Sequence, residues 1–386
     1  MFEVGMPIFS RFEPLNAQRT MGRNERCWCR SGKKWKQCHA GRERESALPM
    51  SALASKFYQI AAQTEFCYHP SAPEGCSKGI IRAHTIQKRT GLDNIAENGH
   101  VLSARDGKTG ASRLDLELIG INKASTFRGF CSKHDSDTFR GAENRIDIDK
   151  SSAFLLSYRA LCYETYMKTV AVKTLEFLRD HMDRGKQFEA QAEVQERLSY
   201  HIHTTRLGEF EHERLKNFWG AVLNDGGGSE FQWFAIAFEG TIPLVASGTF
   251  FPERDFEGKL LQPINAPIGS LALLAFNILP FAGKTFAVFG WLDGKSQNLS
   301  FIRSLHQIPH ASLASSIVQF AFDTSDNLFV SPTWWKTLVD QPKRFLLQVL
   351  RSSTPGDKRI DGLIPRSPPL LELPVGSVHF GIASNL

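Results

Sequence analysis

Two cysteines separated by one residue, Cys27-Trp28-Cys29, are followed after the eight residues RSGKKWKQ by Cys38-His39. Few short segments constrain a chain more. Zinc takes four sulfur or nitrogen donors in a tetrahedron, at about 2.3 Å for thiolate and about 2.0 Å for imidazole. Two donors on each side of a small loop can supply that arrangement. The loop carries Ser31-Gly32, where glycine tolerates a positive φ. Cys27, Cys29, Cys38 and His39 are therefore read as the ligands of one zinc ion. Arg30, Lys33, Lys34 and Lys36 are expected to crowd the thiolates and favour their deprotonated, metal-binding form.

The chain has 7 cysteines, and six of them precede residue 132 in the company of histidines. In a reducing compartment such clusters read as metal sites and not as disulfides. The second set is more dispersed. Cys67 and Cys76 flank the turn-rich YHPSAPEG, and Cys131-Ser132-Lys133-His134 follows much later. Zinc sites are often built from two distant pairs, which makes Cys67, Cys76, Cys131 and His134 a candidate Cys3His site. The alternative is three ordinary buried thiols. Cys162 stands apart in the helical pattern LLSYRALCYETY and is read as a small buried hydrophobe.

Residues 22–41, GRNERCWCRSGKKWKQCHAG, closely resemble the SEC-C motif, a zinc knuckle best known from the C-terminal tail of the bacterial translocation ATPase SecA. The usual form reads G-R-N-x-P-C-P-C-G-S-G-K-K-x-K-x-C-C/H. Gly22-Arg23-Asn24, both ligand pairs, Ser31-Gly32-Lys33-Lys34 and Lys36 match it. Arg26 and Trp28 stand where prolines are usual, and Arg30 where glycine is usual. None of the three is a ligand, so the departures bear on local geometry alone. The resemblance implies zinc and a surface that docks on an acidic partner, as the SecA tail does on a chaperone and on ribosomes. It covers about twenty residues and implies nothing about the rest.

Between the dispersed cysteines lies Ile80-Ile81-Arg82-Ala83-His84-Thr85-Ile86. It resembles the A-H-x-I element of HNH nucleases, in which a histidine at a strand end is the general base of a ββα-metal fold and flanking cysteine pairs hold a structural zinc. The resemblance implies that His84 activates water while Asp135 and another ligand hold a catalytic Mg or Mn. The later Asn and second His of that family have only Asn98 and His100, or His134-Asp135, as counterparts. His84 reads equally as a further zinc ligand or a hydrogen-bonded core histidine. Phe130-Cys131 with His134-Asp135, together with His84-Thr85-Ile86, also resemble bacterial proteins in which a SEC-C knuckle precedes these two elements and a helical, mixed C-terminal part.

Around the two clusters the pattern predicts an α+β, multi-domain chain. It divides into an arm over 1–20, the knuckle over 21–45, a treble-clef-like zinc unit over 51–150, a helical hairpin over 151–225, a mixed β-rich domain over 229–351 and an extended tail over 352–386. Residues 51–63 suit a short helix. Phe154, Leu155, Tyr158, Leu161 and Cys162 mark one face of a long helix with Ser151 or Ser152 as N-cap. A second helix follows Gly185. EFQWFAIAFEG, IPLVASGTFF, LALLAFNIL and TFAVFGWL read as strands, the last two joined by a hairpin turn. LASSIVQFAF and PKRFLLQVLRSS read as helices. His201 and His203 are expected in solvent, and Trp334-Trp335 as an apolar anchor.

The net charge of +6 is uneven, because the first fifty residues hold ten Lys and Arg against five acids. That local excess, over 19–44, points to nucleic acid, a ribosome or an acidic protein as partner. No apolar stretch is continuous enough to span a bilayer, and MFEVGMPIFSRFEPL lacks the features of a secretory signal, so a cytoplasmic location is expected. No nucleophile elbow, phosphate-binding glycine loop or paired-His motif lies in 229–350. The leading expectation is a zinc-binding protein whose basic knuckle engages such a partner. The alternatives are an HNH-like nuclease acting on foreign DNA and a protein–protein adaptor with structural zinc.

Overall fold

The computed structural model describes residues 12–106, 114–143, 147–226, 228, 230–281, 283–292, 294–351, 362–364 and 370–381. Helices and sheets are both present, in the expected α+β class. The chain divides into two compact units, one drawn from Met1–Thr64 and Thr165–Arg214, the other from Glu65–Glu164 and Leu215–Leu386.

The first unit is helical around the knuckle. It contains α1 (Met50–Gln63), the later part of α3 (Lys150–His181) and most of α4 (Phe188–Asn224). The last two run antiparallel, as the side-chain bond from Gln195 to the Arg179 carbonyl and the Arg206–Glu176 pair require. The turn between them needs glycine at 185. There φ is 72°, and an added Cβ would lie 3.0 Å from the Glu45 carbonyl oxygen. Helix α3 starts two to three residues earlier than the serines suggested. Asp149 caps it, its carboxylate accepting the Ser152 N–H at 2.8 Å, so Ser151 and Ser152 lie inside the first turn. The described part of the expected arm follows α4. Leu15 N–H donates to Glu196, and the Phe12 ring sits edge-on to Tyr200 and 5.7 Å from His203. His203 is therefore half-buried, while His201 is exposed.

The second unit is built on an eight-stranded antiparallel sheet. In space its order is β10 (Val375–Gly381), β5 (Gln232–Glu239), β8 (Lys284–Trp291), β7 (Leu274–Phe281), β6 (Leu244–Phe250), β9 (Leu328–Val330), β2 (His100–Asp106) and β3 (Leu114–Gly120). Strands β5 to β8 fall on the four segments read as strands. Phe281 pairs with Lys284 across the expected hairpin turn, where Gly283 has φ of 82°. One face of the sheet packs against α5 (Ser296–His306), α6 (His310–Thr324) and α8 (Asp340–Arg351). At its centre Phe320 meets the rings of Phe250, Phe276 and Phe289 at 5.0–5.5 Å. The short α7 (Pro332–Thr337) carries Trp334 and Trp335 onto the same core, Trp335 stacked on Phe322. On the other face Gly290 admits Ser157, from the first part of α3, close to the strands.

Three differences from the sequence reading follow from long-range pairing. Strands β2 and β3, in the span read as a zinc unit, join the large sheet through β9, some 230 residues away in sequence. The tail read as extended over 352–386 contains β10, an edge strand on β5, while 352–361, 365–369 and 382–386 lie outside the described residues. Only β1 (Ile80–His84), β4 (Thr126–Cys131) and α2 (Ser132–Glu143) form the small hairpin-and-helix motif around the dispersed cysteines. Among the described residues, no helix is long and apolar enough to cross a membrane.

Candidate metal centres

The knuckle is a miniature hairpin closed by its ligands. Arg26 and Lys34 form an antiparallel bridge, Cys27 N–H donates to the Lys33 carbonyl at 2.9 Å, and Trp35 N–H donates to Glu25 at 2.8 Å. A single 3-10 turn, Trp35–Gln37, then delivers Cys38 and His39. The ligand atoms of Cys27, Cys29, Cys38 and His39 lie within 4.8 Å of one another, and all four residues are buried. Individual separations are 3.2 Å from Cys27 Sγ to His39 Nδ1, 3.3 Å from Cys38 Sγ to the same nitrogen, and 3.5 Å between Cys29 and Cys38. A zinc tetrahedron of thiolate sulfurs has edges of about 3.8 Å, and sulfur–nitrogen edges are shorter. The donor set fits such an ion in number, chemistry and spacing.

The thiols polarise one another. Hydrogen bonds from Cys27 and Cys38 hold Cys29 far below the ordinary thiol range against the cost of burial, with His39 and Ser31 adding to the effect. Cys27, the donor in that arrangement, is displaced upward. The lysines expected around the thiolates are exposed instead, and Lys33 reaches Asp180 at 2.7 Å. Ser31 takes the place expected for them, its hydroxyl 3.2 Å from Cys29 Sγ and 3.3 Å from Cys38 Sγ.

Each departure from the usual knuckle has a structural counterpart. Trp28 is buried with its ring 4.6 Å from His39 and 6.2 Å from Phe188 of α4. It anchors the knuckle on the helix where a proline could not. Arg30, in the usual glycine position, has φ of 56°, a left-handed conformation that costs an ordinary residue about 1 kcal/mol. Its guanidinium donates to the carbonyls of Glu13 at 2.7 Å and Pro14 at 3.1 Å, which offsets that strain. Arg26 donates to the Gly32 carbonyl across the loop.

Sequence reasoning missed Asp183. It is fully buried, 2.8 Å from His39 Nε2 and 2.6 Å from Arg42 Nε. Burial alone would raise its pKa, but the hydrogen bond to His39 and the Arg42 charge hold it below the usual carboxylate range.

The second group also comes together. Residues 66–68 run beside β4, with Phe66 and Tyr68 N–H donating to Arg128 and Gly129 carbonyls. This brings Cys67 and Cys76 to Cys131 at the end of β4 and His134 in the first turn of α2. The four ligand atoms again lie within 4.8 Å of one another, His134 Nδ1 being 3.4 Å from Cys67 and 3.5 Å from Cys76. Burial opposes ionisation of Cys131, yet the His134 N–H and Ser77 bring its thiol down to about 7. The His69 ring stacks on His134 at 4.0 Å and 13°. These donors too fit a tetrahedral ion.

His84 and Asp135 are placed differently from what the nuclease resemblance implies. His84 ends β1, but its Nε2 meets the Ile121 carbonyl at 3.2 Å. Asp135 meets Arg159 at 3.1 Å. Among the described residues neither belongs to a group of three or more side chains able to hold an ion. Asn98 and His100 lie at the start of β2, where His100 Nδ1 meets the Asn98 carbonyl. Cys162 is fully buried, as expected.

Comparison with known proteins agrees with the first site. The SEC-C motif matches residues 23–41. A 35-residue segment, 9% of this chain, is 51% identical to the protein translocase subunit SecA of Pseudomonas syringae pv. syringae (strain B728a). That segment spans 4% of SecA, so the likeness is confined to a short stretch of each chain. No solved structure matches the chain.

Proposed function

We propose that this protein binds two zinc ions, at Cys27/Cys29/Cys38/His39 and Cys67/Cys76/Cys131/His134, and uses its knuckle to dock on a polyanionic partner, nucleic acid first among the candidates. The observation that carries the docking reading is how the basic residues of 19–44 are divided. Arg19, Arg30, Lys33 and Arg42 pair with Glu189, Glu13, Asp180 and Asp183. Arg44, in the 3-10 turn Arg42–Arg44, is exposed with no ion pair among the described residues, and so are Arg23, Arg26, Lys34 and Lys36 of the hairpin itself. The Arg26–Lys34 bridge and the bond from Lys36 N–H to the Arg23 carbonyl gather these four on one edge of the knuckle. Zinc holds that edge in shape, and four cations in close array suit phosphate oxygens or clustered carboxylates. With seven free cysteines, the reading places the chain in the reducing cytoplasm.

Four phosphate contacts give a slope of log affinity against log salt of about −3 to −4. Fluorescence anisotropy with RNA and DNA oligonucleotides between low and moderate salt checks this. Wild type should show that slope, and Arg23→Gln/Arg26→Gln/Lys34→Gln/Lys36→Gln should lose most of it. Binding that ignores salt, or an unchanged quadruple variant, refutes the docking reading; capture of an acidic protein in place of nucleic acid would reassign the partner.

One observation keeps a nuclease reading in second place. Burial lowers the pKa of the half-buried His84, which leaves the imidazole neutral as a general base requires. Plasmid nicking with Mg or Mn, wild type against His84→Ala, decides it; no nicking by wild type ends the reading.

A further inference from the structure

His39 has two ring nitrogens, and its usefulness as a ligand depends on which one is bare. Nδ1 lies among the thiols, 3.2 Å from Cys27 and 3.3 Å from Cys38, while Nε2 lies 2.8 Å from Asp183 Oδ2. Asp183 is committed as an acceptor on both oxygens. Arg42 Nε donates to Oδ1 at 2.6 Å, and Gln195 Nε2 donates to Oδ2 at 2.8 Å. The Gln195 amide is itself oriented, because the same nitrogen donates to the Arg179 carbonyl at 2.7 Å. With two donors already on it, Asp183 is a carboxylate, and His39 must present N–H to it at Nε2. The lone pair is then at Nδ1, facing the metal position.

We propose that Asp183 is the positioning residue of the first metal site, fixing the tautomer and ring orientation of His39 and thereby tying metal binding to the turn between α3 and α4. The link is mechanical as well as electrostatic. Arg42 donates to the Asp180 carbonyl at 2.6 Å and to the Cys38 carbonyl at 3.3 Å, and the Gly185 N–H returns to the Arg42 carbonyl at 3.1 Å. Trp28, Leu15, Met21 and Trp35 pack with Phe188 and Ala192 of α4 around the ligand cysteines. The knuckle is thus built into the helical hairpin, and metal, knuckle and hairpin turn form one unit. Outer partners of this kind set ligand basicity and orientation, and their loss typically weakens metal binding by about 10–100-fold.

The inference rests on zinc binding at the first site, and its test separates the two. The full chain is titrated with a chromogenic chelator, and Cys27→Ser identifies which release step belongs to the first site. Asp183→Asn should weaken that step by about 10–100-fold and leave the other step unchanged. Gln195→Met removes another partner of Asp183 without touching His39, and should leave the first step within a few-fold of wild type. Cobalt substitution adds a spectroscopic reading, in which the ligand-field bands of the first site shift in Asp183→Asn alone. An unchanged first step in Asp183→Asn overturns the proposal, as does an equal loss in Gln195→Met, which would make Asp183 merely structural. Wild type without metal at the first site overturns the zinc reading as well. Should Asp183→Asn fail to fold, hydrogen exchange on wild type takes its place. Chelation should raise exchange over 180–196, and unchanged exchange there contradicts the coupling.

Discussion

Arg159→Met is the substitution whose cost is most directly worked from the structure. The Arg159 side chain is 3% exposed, and its Nη2 meets Asp135 at 3.1 Å and Glu143 at 2.9 Å. Its guanidinium carbon lies 4.0 Å above the Phe139 ring. Methionine keeps much of the stem volume but removes the charge. Breaking a buried pair from one side typically costs about 3–5 kcal/mol. Here the two carboxylates are 19% and 27% exposed and can partly rehydrate, which lowers the expected loss to about 3 kcal/mol. Urea unfolding at neutral pH followed by circular dichroism reads this as a lower midpoint at unchanged slope. Adding Asp135→Asn and Glu143→Gln leaves no orphaned charge and should restore most of the loss. The reasoning fails if Arg159→Met lies within about 0.5 kcal/mol of wild type, the range of ordinary surface changes. That result would free Asp135 from its structural role and reopen its assignment as a metal ligand.

Two further predictions concern the helical unit. Gly185→Ala should cost about 2 kcal/mol in thermal or urea unfolding, since a Cβ at φ of 72° is strained and also meets the Glu45 carbonyl oxygen at 3.0 Å; a neutral or stabilising result contradicts the described turn. His212 is buried beside Lys168, and burial, then that charge, lower its pKa from 6.5 to about 4. Above the unfolded value it is neutral in both states, so its contribution is fully present; as pH falls from about 6.5 to about 4 the unfolded chain takes up a proton that the folded one refuses, and stability falls by up to about 3 kcal/mol. His212→Gln should flatten that part of the acid limb, and an identical pH profile counts against the burial.

What could be read in advance follows the distance over which each feature is determined. The first metal group lies within thirteen residues, and local spacing with the Ser31-Gly32 turn suffices to define it. The second needed a pair of cysteines and a Cys–His pair more than fifty residues apart to be matched by chemistry alone. Asp183 was invisible because it is 144 residues from His39 and sits in an ordinary helix-end sequence. Asp135 misled for a related reason. Its place beside a ligand histidine suggests metal chemistry, while its partner Arg159 emerges only when α2 packs on α3. Strands β5 to β8 announce themselves as apolar runs because the sheet buries both their faces. Strand β3 does alternate, from Leu114 to Leu118, but it lies at the sheet edge with Leu118 60% exposed, and Asp115 and Glu117 are poor strand formers, so nothing local ties it to the large sheet. Strand β10 is also an edge strand and follows a proline-rich stretch that reads as tail.

Metal content per folded chain tests the central claim most directly. Elemental analysis of the purified full-length protein should find two zinc ions, with one lost in Cys27→Ser and the other in Cys67→Ser. A chain that folds and carries no zinc, or whose zinc survives both substitutions, contradicts the account.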